Sequence, residues 1–269
     1  MASQEAIPLK TDLLWHYTTF QTFRRIVESQ SLLARDYRLL NDGMEIKLGA
    51  KWVTDWLGSQ EEFDFGNVCP EYFIQQYQDF EDAHCPFVIS FSAARDRLSM
   101  WRGYADAVHG SDGIAIGFDR ADLIKIALAS RVFGPEKVAY DREAFEEILA
   151  SKIRQGLTKF GGWQDYLMLK DIPPFVKSST FAEEEEWRIV DPNPYLARQR
   201  MLTEIGGEYR SVLSLNACDE PLSYKFGIRE VLVGPKGNKA AIDNYVRVAL
   251  QGAEGVQSVT VRKSEIPFI

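Results

Sequence analysis

Apolar side chains recur at Phe20, Phe23, Ile26 and Val27, a spacing that predicts a helix with Thr18 or Thr19 placed to cap its start. Leu13 to Tyr17 before it and Ser31 to Ala34 after it read as strands, followed by the polar loop Arg35 to Arg38 and a turn at Asn41-Asp42-Gly43. From Met44 to about Ala83, two aromatic sets keep helical spacing: Trp52, Val53, Trp56 and Leu57, then Tyr72, Phe73, Gln76, Tyr77 and Phe80. They predict a helical insertion over 44–86 whose aromatics are core. The apolar run Phe87 to Phe91 predicts a central strand, and Ser99 is placed to cap a brief helix carrying Trp101 and Tyr104 on one face. Gly113 to Phe118 reads as a strand whose glycines admit close approach of a neighbouring backbone or a ligand.

Further along, Val138 to Tyr140 reads as a strand and Arg142 to Leu157 as a helix with Phe145, Ile148, Leu149 and Ile153 inward. Gly161 to Ser179, with its Gly-Gly and Pro-Pro punctuation, predicts a long loop, and loops of that length in a compact domain tend to be functional. Trp187 to Val190, Ile228 to Val233 and Val259 to Arg262 predict strands, with a helix from Lys239 to Leu250 between the last two. Strands and helices interleave without regular βα alternation. The expectation is therefore one α+β domain over 1–269 with a mixed sheet, not a doubly wound one.

The 269 residues, 45% hydrophobic and 26% charged, suffice to bury a substantial core. A net charge of -8 argues against a role in coating nucleic acid, which needs clustered Lys and Arg. No stretch approaches the roughly 18 apolar residues of a membrane span, and Met1-Ala2-Ser3-Gln4-Glu5 lacks signal-peptide features, so the expectation is a cytoplasmic protein with no membrane partner. Cys69, Cys85 and Cys218 suit reduced thiols, and His84-Cys85 has no CxxC or HxxxH companion, so no metal site is expected.

Candidate chemistry centres on Glu183-Glu184-Glu185-Glu186, which runs directly into the apolar Trp187-Arg188-Ile189-Val190. Strand alternation would put Glu184 and Glu186 on one face and Glu183 and Glu185 on the other, and a slip of one residue would exchange the two. A same-face pair can divide labour between stabilising positive charge and orienting a hydroxyl. The alternative is that one carboxylate pairs with Arg188 and the rest are solvated. Arg35, Arg38 and Arg95 have the planar guanidinium that suits phosphate.

The order His16-Tyr17-Thr18, Phe91-Ser92, Met100-Trp101-Arg102-Gly103-Tyr104-Ala105 and Glu184-Glu185-Glu186-Trp187-Arg188, with Ile228 to Pro235 in the tail, resembles a large bacterial family of domains of unknown function. That family in turn resembles the ADP-ribosyltransferases, in particular their toxin-like, DarT-like branch. The resemblance implies a mostly antiparallel sheet of the ADP-ribosyltransferase type and NAD as substrate. It also implies transfer of ADP-ribose to a macromolecular acceptor, protein or nucleic acid, in toxin or phage-defence biology with a neutralising partner. It assigns His16 to a ribose or the nicotinamide amide, with Tyr17 and Thr18 in the same motif, and Ser92 to the nicotinamide-side ribose. Glu186 becomes the catalytic carboxylate, and beside it the residues themselves offer Glu184 as its same-face companion and Arg35 as a ligand for the pyrophosphate of a dinucleotide.

Cleaving the ribose–nicotinamide bond develops oxocarbenium character, and one preorganised carboxylate beside it commonly contributes on the order of 3 kcal/mol. The cationic pyridinium suits an aromatic wall, for which Tyr17, Trp101 and Tyr104 are the candidates. Where one branch has Ser-Thr-Ser, the middle strand here reads Ser90-Phe91-Ser92. Two other readings stand beside this one: a non-catalytic nucleotide-sensing or protein-interaction module, and a carboxylate–metal nuclease built on Glu184, Glu186 and Asp119.

Overall fold

In a computed structural model of the protein, the described residues are 12–40, 44–59, 86–105, 113–149, 172–191, 202–205, 207–215, 227–250 and 259–267. The turn expected at Asn41 to Gly43, the second half of the helical insertion, His84-Cys85, Cys69, Cys218 and the first part of the Gly161 to Ser179 loop lie outside them. The strands are β1 (Leu13–Thr19), β2 (Ser31–Asp36), β3 (Phe87–Ser92), β4 (Gly113–Asp119), β5 (Phe133–Lys137), β6 (Glu186–Asp191), β7 (Leu202–Ile205), β8 (Glu208–Ser214), β9 (Ile228–Val233) and β10 (Thr260–Lys263). The helices are α1 (Phe20–Ser29), α2 (Met44–Gly58), α3 (Arg120–Ala129), α4 (142–149) and α5 (Lys239–Ala249).

All ten strands join one sheet in the order β10-β9-β4-β1-β3-β2-β8-β7, with β6 paired to β3 and β5. Every pairing is antiparallel except β9 with β10. The expected α+β class with a mostly antiparallel mixed sheet is therefore what the chain forms.

The branch at β3 positions the site. β6 takes one edge of β3 along its whole length, from Phe87↔Asp191 to Ser92↔Glu186. On the other edge β2 pairs only with the start of β3, through Arg35↔Val88 and Asp36↔Phe87, and β1 only with its end, through Trp15↔Ser92. The middle of that edge, around Ser90, is left between two diverging neighbours.

Alternation then sorts the side chains. Leu14, Phe87, Ile89, Phe91, Ile116, Ile189 and Val231 face a core closed by Phe23, Ile26 and Val27 of α1, Leu123 and Ile126 of α3, and Ile242 and Val246 of α5. Thr19 caps α1, its hydroxyl accepting from Thr22 N at 3.2 Å, as the sequence pattern anticipates. On the opposite face, Trp15 and Tyr17 pack with Met100, Trp101, Ala115 and Leu232, while Val88 and Val190 pack with Tyr37 and Phe175. Gly117 lets the indole of Trp15 lie over it, 3.1 Å from where a Cβ would stand. The close approach of a neighbouring backbone that the glycines of β4 anticipate is made at Gly113, where the carbonyl oxygen of Ala105 lies 2.9 Å from where a Cβ would stand.

Several local expectations are corrected. Ser99 does not cap: it lies inside the turn Leu98–Met100, whose preceding residue Arg97 makes no side-chain cap, and the chain then widens into a π-helical turn, Trp101–Ala105. The strand expected at Val138 to Tyr140 is instead β5, ending at Lys137, with Ala139 making only an isolated bridge to Val176. Gly134 starts this shift: its φ of +100° and the bulge opposite β6 move the pairing upstream. Helix α3 and strands β7 and β8 had no counterpart in the sequence reading, although Asp119 caps α3 by accepting from Ala121 N at 2.9 Å.

Candidate functional site

The acidic run does not enter β6 as an extended strand. Residues Ser179–Glu184 form a 3-10 turn, Glu185 takes the left-handed conformation (φ 44°, ψ 48°), and only Glu186 begins the strand. Glu184 and Glu186 are both buried, whereas Glu183 is exposed and Glu185 reaches outward to Arg97 at 2.6 Å. The expected division of the four carboxylates is right, but its cause is a turn and not period-two alternation.

What receives the two buried carboxylates is Lys177. Its Nζ lies 2.6 Å from Oε2 of Glu184, 3.1 Å from Oε2 of Glu186 and 3.4 Å from Oε1 of Glu45 on α2. Arg188 completes the cluster: Nε donates to Oε1 of Glu186 at 2.7 Å, Nη2 to Oε2 of Glu186 at 3.0 Å and Oε2 of Glu45 at 2.7 Å, and Nη1 to the carbonyl of Pro174 at 2.5 Å. Charges this deep persist only when paired and hydrogen-bonded, and here each is.

Burial alone would raise the Glu186 carboxyl, but the Arg188 guanidinium and the Lys177 ammonium overcome it and hold it at about 2. Burial likewise works against the Lys177 ammonium, and the Glu186 and Glu45 carboxylates with Tyr104 more than offset it, raising its pKa. Glu186 is thus a fixed carboxylate that is ionised at neutral pH. Its backbone N–H donates to the hydroxyl of Tyr140 at 2.8 Å, a phenol that burial pushes up to about 12. The hydroxyl of Tyr104 donates to Oε1 of Glu184 at 2.9 Å, and burial raises this phenol too.

His16 comes to the same place by a different route. Through Ile116 across β4 the strand register assigns it to the α1 face, opposite Glu186. Yet it borders the opening between β1 and β3, and its Nδ1 lies 3.0 Å from the carbonyl oxygen of Ser90. A carbonyl only accepts, so Nδ1 carries the proton and Nε2 is left as an acceptor. Burial lowers the imidazole pKa, which keeps the ring neutral.

A pocket of about 80 Å³ occupies this opening, lined by Trp15, His16, Tyr17, Ser90, Phe91, Met100, Tyr104, Glu184 and Glu186. Five of the residues expected from sequence therefore meet there: His16, Tyr17, Tyr104, Glu184 and Glu186. The others do not line it. Ser92 is fully buried, its hydroxyl donating to the carbonyl of Glu184 at 2.5 Å and accepting from Ala94 N at 3.0 Å, so it fixes the acidic turn against β3.

Trp101 stands behind Tyr17, edge-on at 5.0 Å, with its indole N–H on Asp96. Thr18 is buried in β1, and Arg35 pairs with Glu208 across β8 at 3.1 Å. Asp119 serves as the cap of α3, and among the described residues no three of His, Cys, Asp and Glu are grouped to hold a metal ion. Lys177, Glu45, Trp15 and Ser90 had not been singled out from sequence.

Residues 100–189 match the family described as "Protein of unknown function (DUF2971)". That stretch holds Tyr104, Lys177, Glu184, Glu186 and Arg188, and it agrees with the resemblance to a family of unknown-function domains over this part of the chain, while β1 with His16 and Tyr17 lies outside it. No curated protein and no solved structure matches the chain. Among the described residues no helix is long and apolar enough to cross a membrane.

Proposed function

We propose that this pocket takes the nicotinamide–ribose end of NAD and that the protein transfers ADP-ribose to a macromolecular acceptor. One observation carries the reading: a neutral imidazole and two carboxylates line one aromatic-walled pocket, although the register of β1 and β6 turns His16 and Glu186 to opposite faces of the sheet. In the reaction the N-glycosidic bond breaks, its electron pair leaves on the nicotinamide nitrogen, and the acceptor nucleophile bonds to the anomeric carbon as it releases its proton to water. Ionised Glu186 supplies fixed negative charge for the oxocarbenium-like transition state, Glu184 accepts from a ribose hydroxyl, and Nε2 of His16 accepts from another. Trp15, Tyr17, Phe91 and Tyr104 supply the wall for the cationic ring. The volume suits the nicotinamide ring, so the ribose would sit at the mouth of the pocket and the adenosine half outside it.

The test is nicotinamide release from labelled NAD with cell lysate as acceptor. Glu184→Gln and Glu186→Gln are each expected to lower it about a hundredfold; wild-type rates in both would remove the assignment.

A second reading has its own support. Both oxygens of Glu186 are already engaged by Arg188 and Lys177, which is what a structural carboxylate looks like. A nucleotide-sensing module would then show NAD-dependent thermal stabilisation with no nicotinamide released.

A further inference from the structure

We infer that helix α2 is a positioning element for the Glu184/Glu186 pair, acting through Glu45 and through the contact of Gly49 with Pro173. The inference rests on the proposed reading only for its kinetic consequence.

Two independent contacts lead from α2 to the carboxylates. The first is ionic. Glu45, in the first turn of α2 and 3% exposed, touches both cations that hold the pair: Oε2 is 2.7 Å from Arg188 Nη2 and Oε1 is 3.4 Å from Lys177 Nζ. Lys177 donates to Glu184 and Glu186 and forms a longer ion pair with Glu45, so its place is set by three carboxylates of which one belongs to α2. The guanidinium of Arg188 is similarly divided between Glu186, Glu45 and the Pro174 carbonyl.

The second contact is steric. Gly49, one helical turn further along α2, packs so closely on Pro173 that a Cβ would stand 2.6 Å from its carbonyl oxygen and 2.8 Å from its Cα. Pro173 opens the 3-10 turn Pro173–Phe175, which presents the Pro174 carbonyl to Arg188 and leads within two residues to Lys177. The same helix therefore sets the height of the segment that carries Lys177 and supplies the third partner of both cations. A shift of α2 moves Lys177 relative to Glu184 and Glu186 without touching the pocket lining. Glu45 is a positioning residue, acting through Lys177 and Arg188.

The experiment follows the Lys177 ammonium directly by 15N-edited NMR of the full chain, where a buried NH₃⁺ held by two hydrogen bonds and a third ion pair exchanges slowly with water. Glu45→Gln removes the ionic contact, and Gly49→Ala pushes α2 off Pro173 while leaving every charge in place. In each, ammonium exchange is expected to rise at least tenfold, and nicotinamide release to lose tenfold or more in kcat with KM within about threefold. Glu183→Gln, an exposed neighbour in the acidic run, should change neither. Wild-type ammonium exchange in Gly49→Ala and Glu45→Gln overturns the inference, as does an unaltered kcat in a folded variant whose ammonium has lost its protection. If the wild-type protein releases no nicotinamide, the functional reading falls and the coupling is decided by ammonium exchange alone.

Discussion

The carboxylates of Glu184 and Glu186 meet on a single ammonium: Lys177 Nζ stands 2.6 Å from Oε2 of the first and 3.1 Å from Oε2 of the second. The left-handed turn at Glu185 makes this convergence possible, because it folds Glu184 back beside the strand that begins at Glu186. Two carboxylates are thereby held together at the wall of a pocket, both of them buried.

Lys177→Met should therefore be costly. The methionine fills much of the same volume but leaves Glu184 with Tyr104 and Glu186 with Arg188 and the Ser90 side chain, two buried carboxylates that have lost their shared cation. Breaking a buried pair by removing one partner costs about 3–5 kcal/mol. A urea midpoint lowered to match, with an unchanged slope, is the expected result; a loss below about 1 kcal/mol would mean that the ammonium contributes no more than a surface ion pair.

Acid should act on the same cluster. Burial opposes ionisation of Glu186, yet Arg188 and Lys177 bring it to about 2 against an ordinary 4.5. A depressed carboxyl contributes stability that is complete above the unfolded-state value and is lost as pH falls from about 4.5 towards about 2. The shift corresponds to about 3 kcal/mol. Urea unfolding from pH 7 down to pH 2.5 should show this decline, and Glu186→Gln should be flatter across the same interval.

The sequence carried the strands and helices whose pattern is regular: β1, α1, β3, β4, β6, β9 and α5 stand where their apolar periodicity places them. It carried the candidate pair as well, since a carboxylate run joined to an apolar strand has to put some of its charge at a buried edge. Glu45 and Lys177 were not legible. Lys177 is one charged residue in a stretch with no pattern around it, and the helical pattern that begins beside Glu45 says nothing of its partner Arg188, 143 residues away. Ser92 was misread for the opposite reason. A serine at the end of a central strand looks like a ligand contact, and only the 3-10 turn that it anchors shows its hydroxyl to be engaged by backbone.

His16 should titrate late. Burial lowers its pKa from 6.5, so the folded protein keeps a neutral ring at pH values where the unfolded chain already binds a proton. Its contribution to stability is complete above about 6.5 and declines as pH falls below that value. Long-range 1H–15N correlation should find the Nδ1–H tautomer at pH 7, with His16→Gln used to assign the signal. An Nε2–H ring would contradict the bond to the Ser90 carbonyl and remove the acceptor that the proposed chemistry uses.

Tyr104→Phe separates the wall of the pocket from the control of Glu184. Tyr104 is 40% exposed and its hydroxyl donates to Oε1 of Glu184, while Oε2 stays with Lys177. Phenylalanine keeps the ring and removes only that bond, and water entering from the pocket can replace it, so stability should fall by no more than about 1 kcal/mol. In nicotinamide release, a wall that holds the substrate ring is unaltered and KM should stay within about threefold. A carboxylate freed to swing on its one remaining partner loses preorganisation where positive charge develops, and kcat should drop about tenfold. The reverse result, a raised KM with kcat intact, would make the hydroxyl a substrate contact and leave Lys177 as sufficient anchor for Glu184.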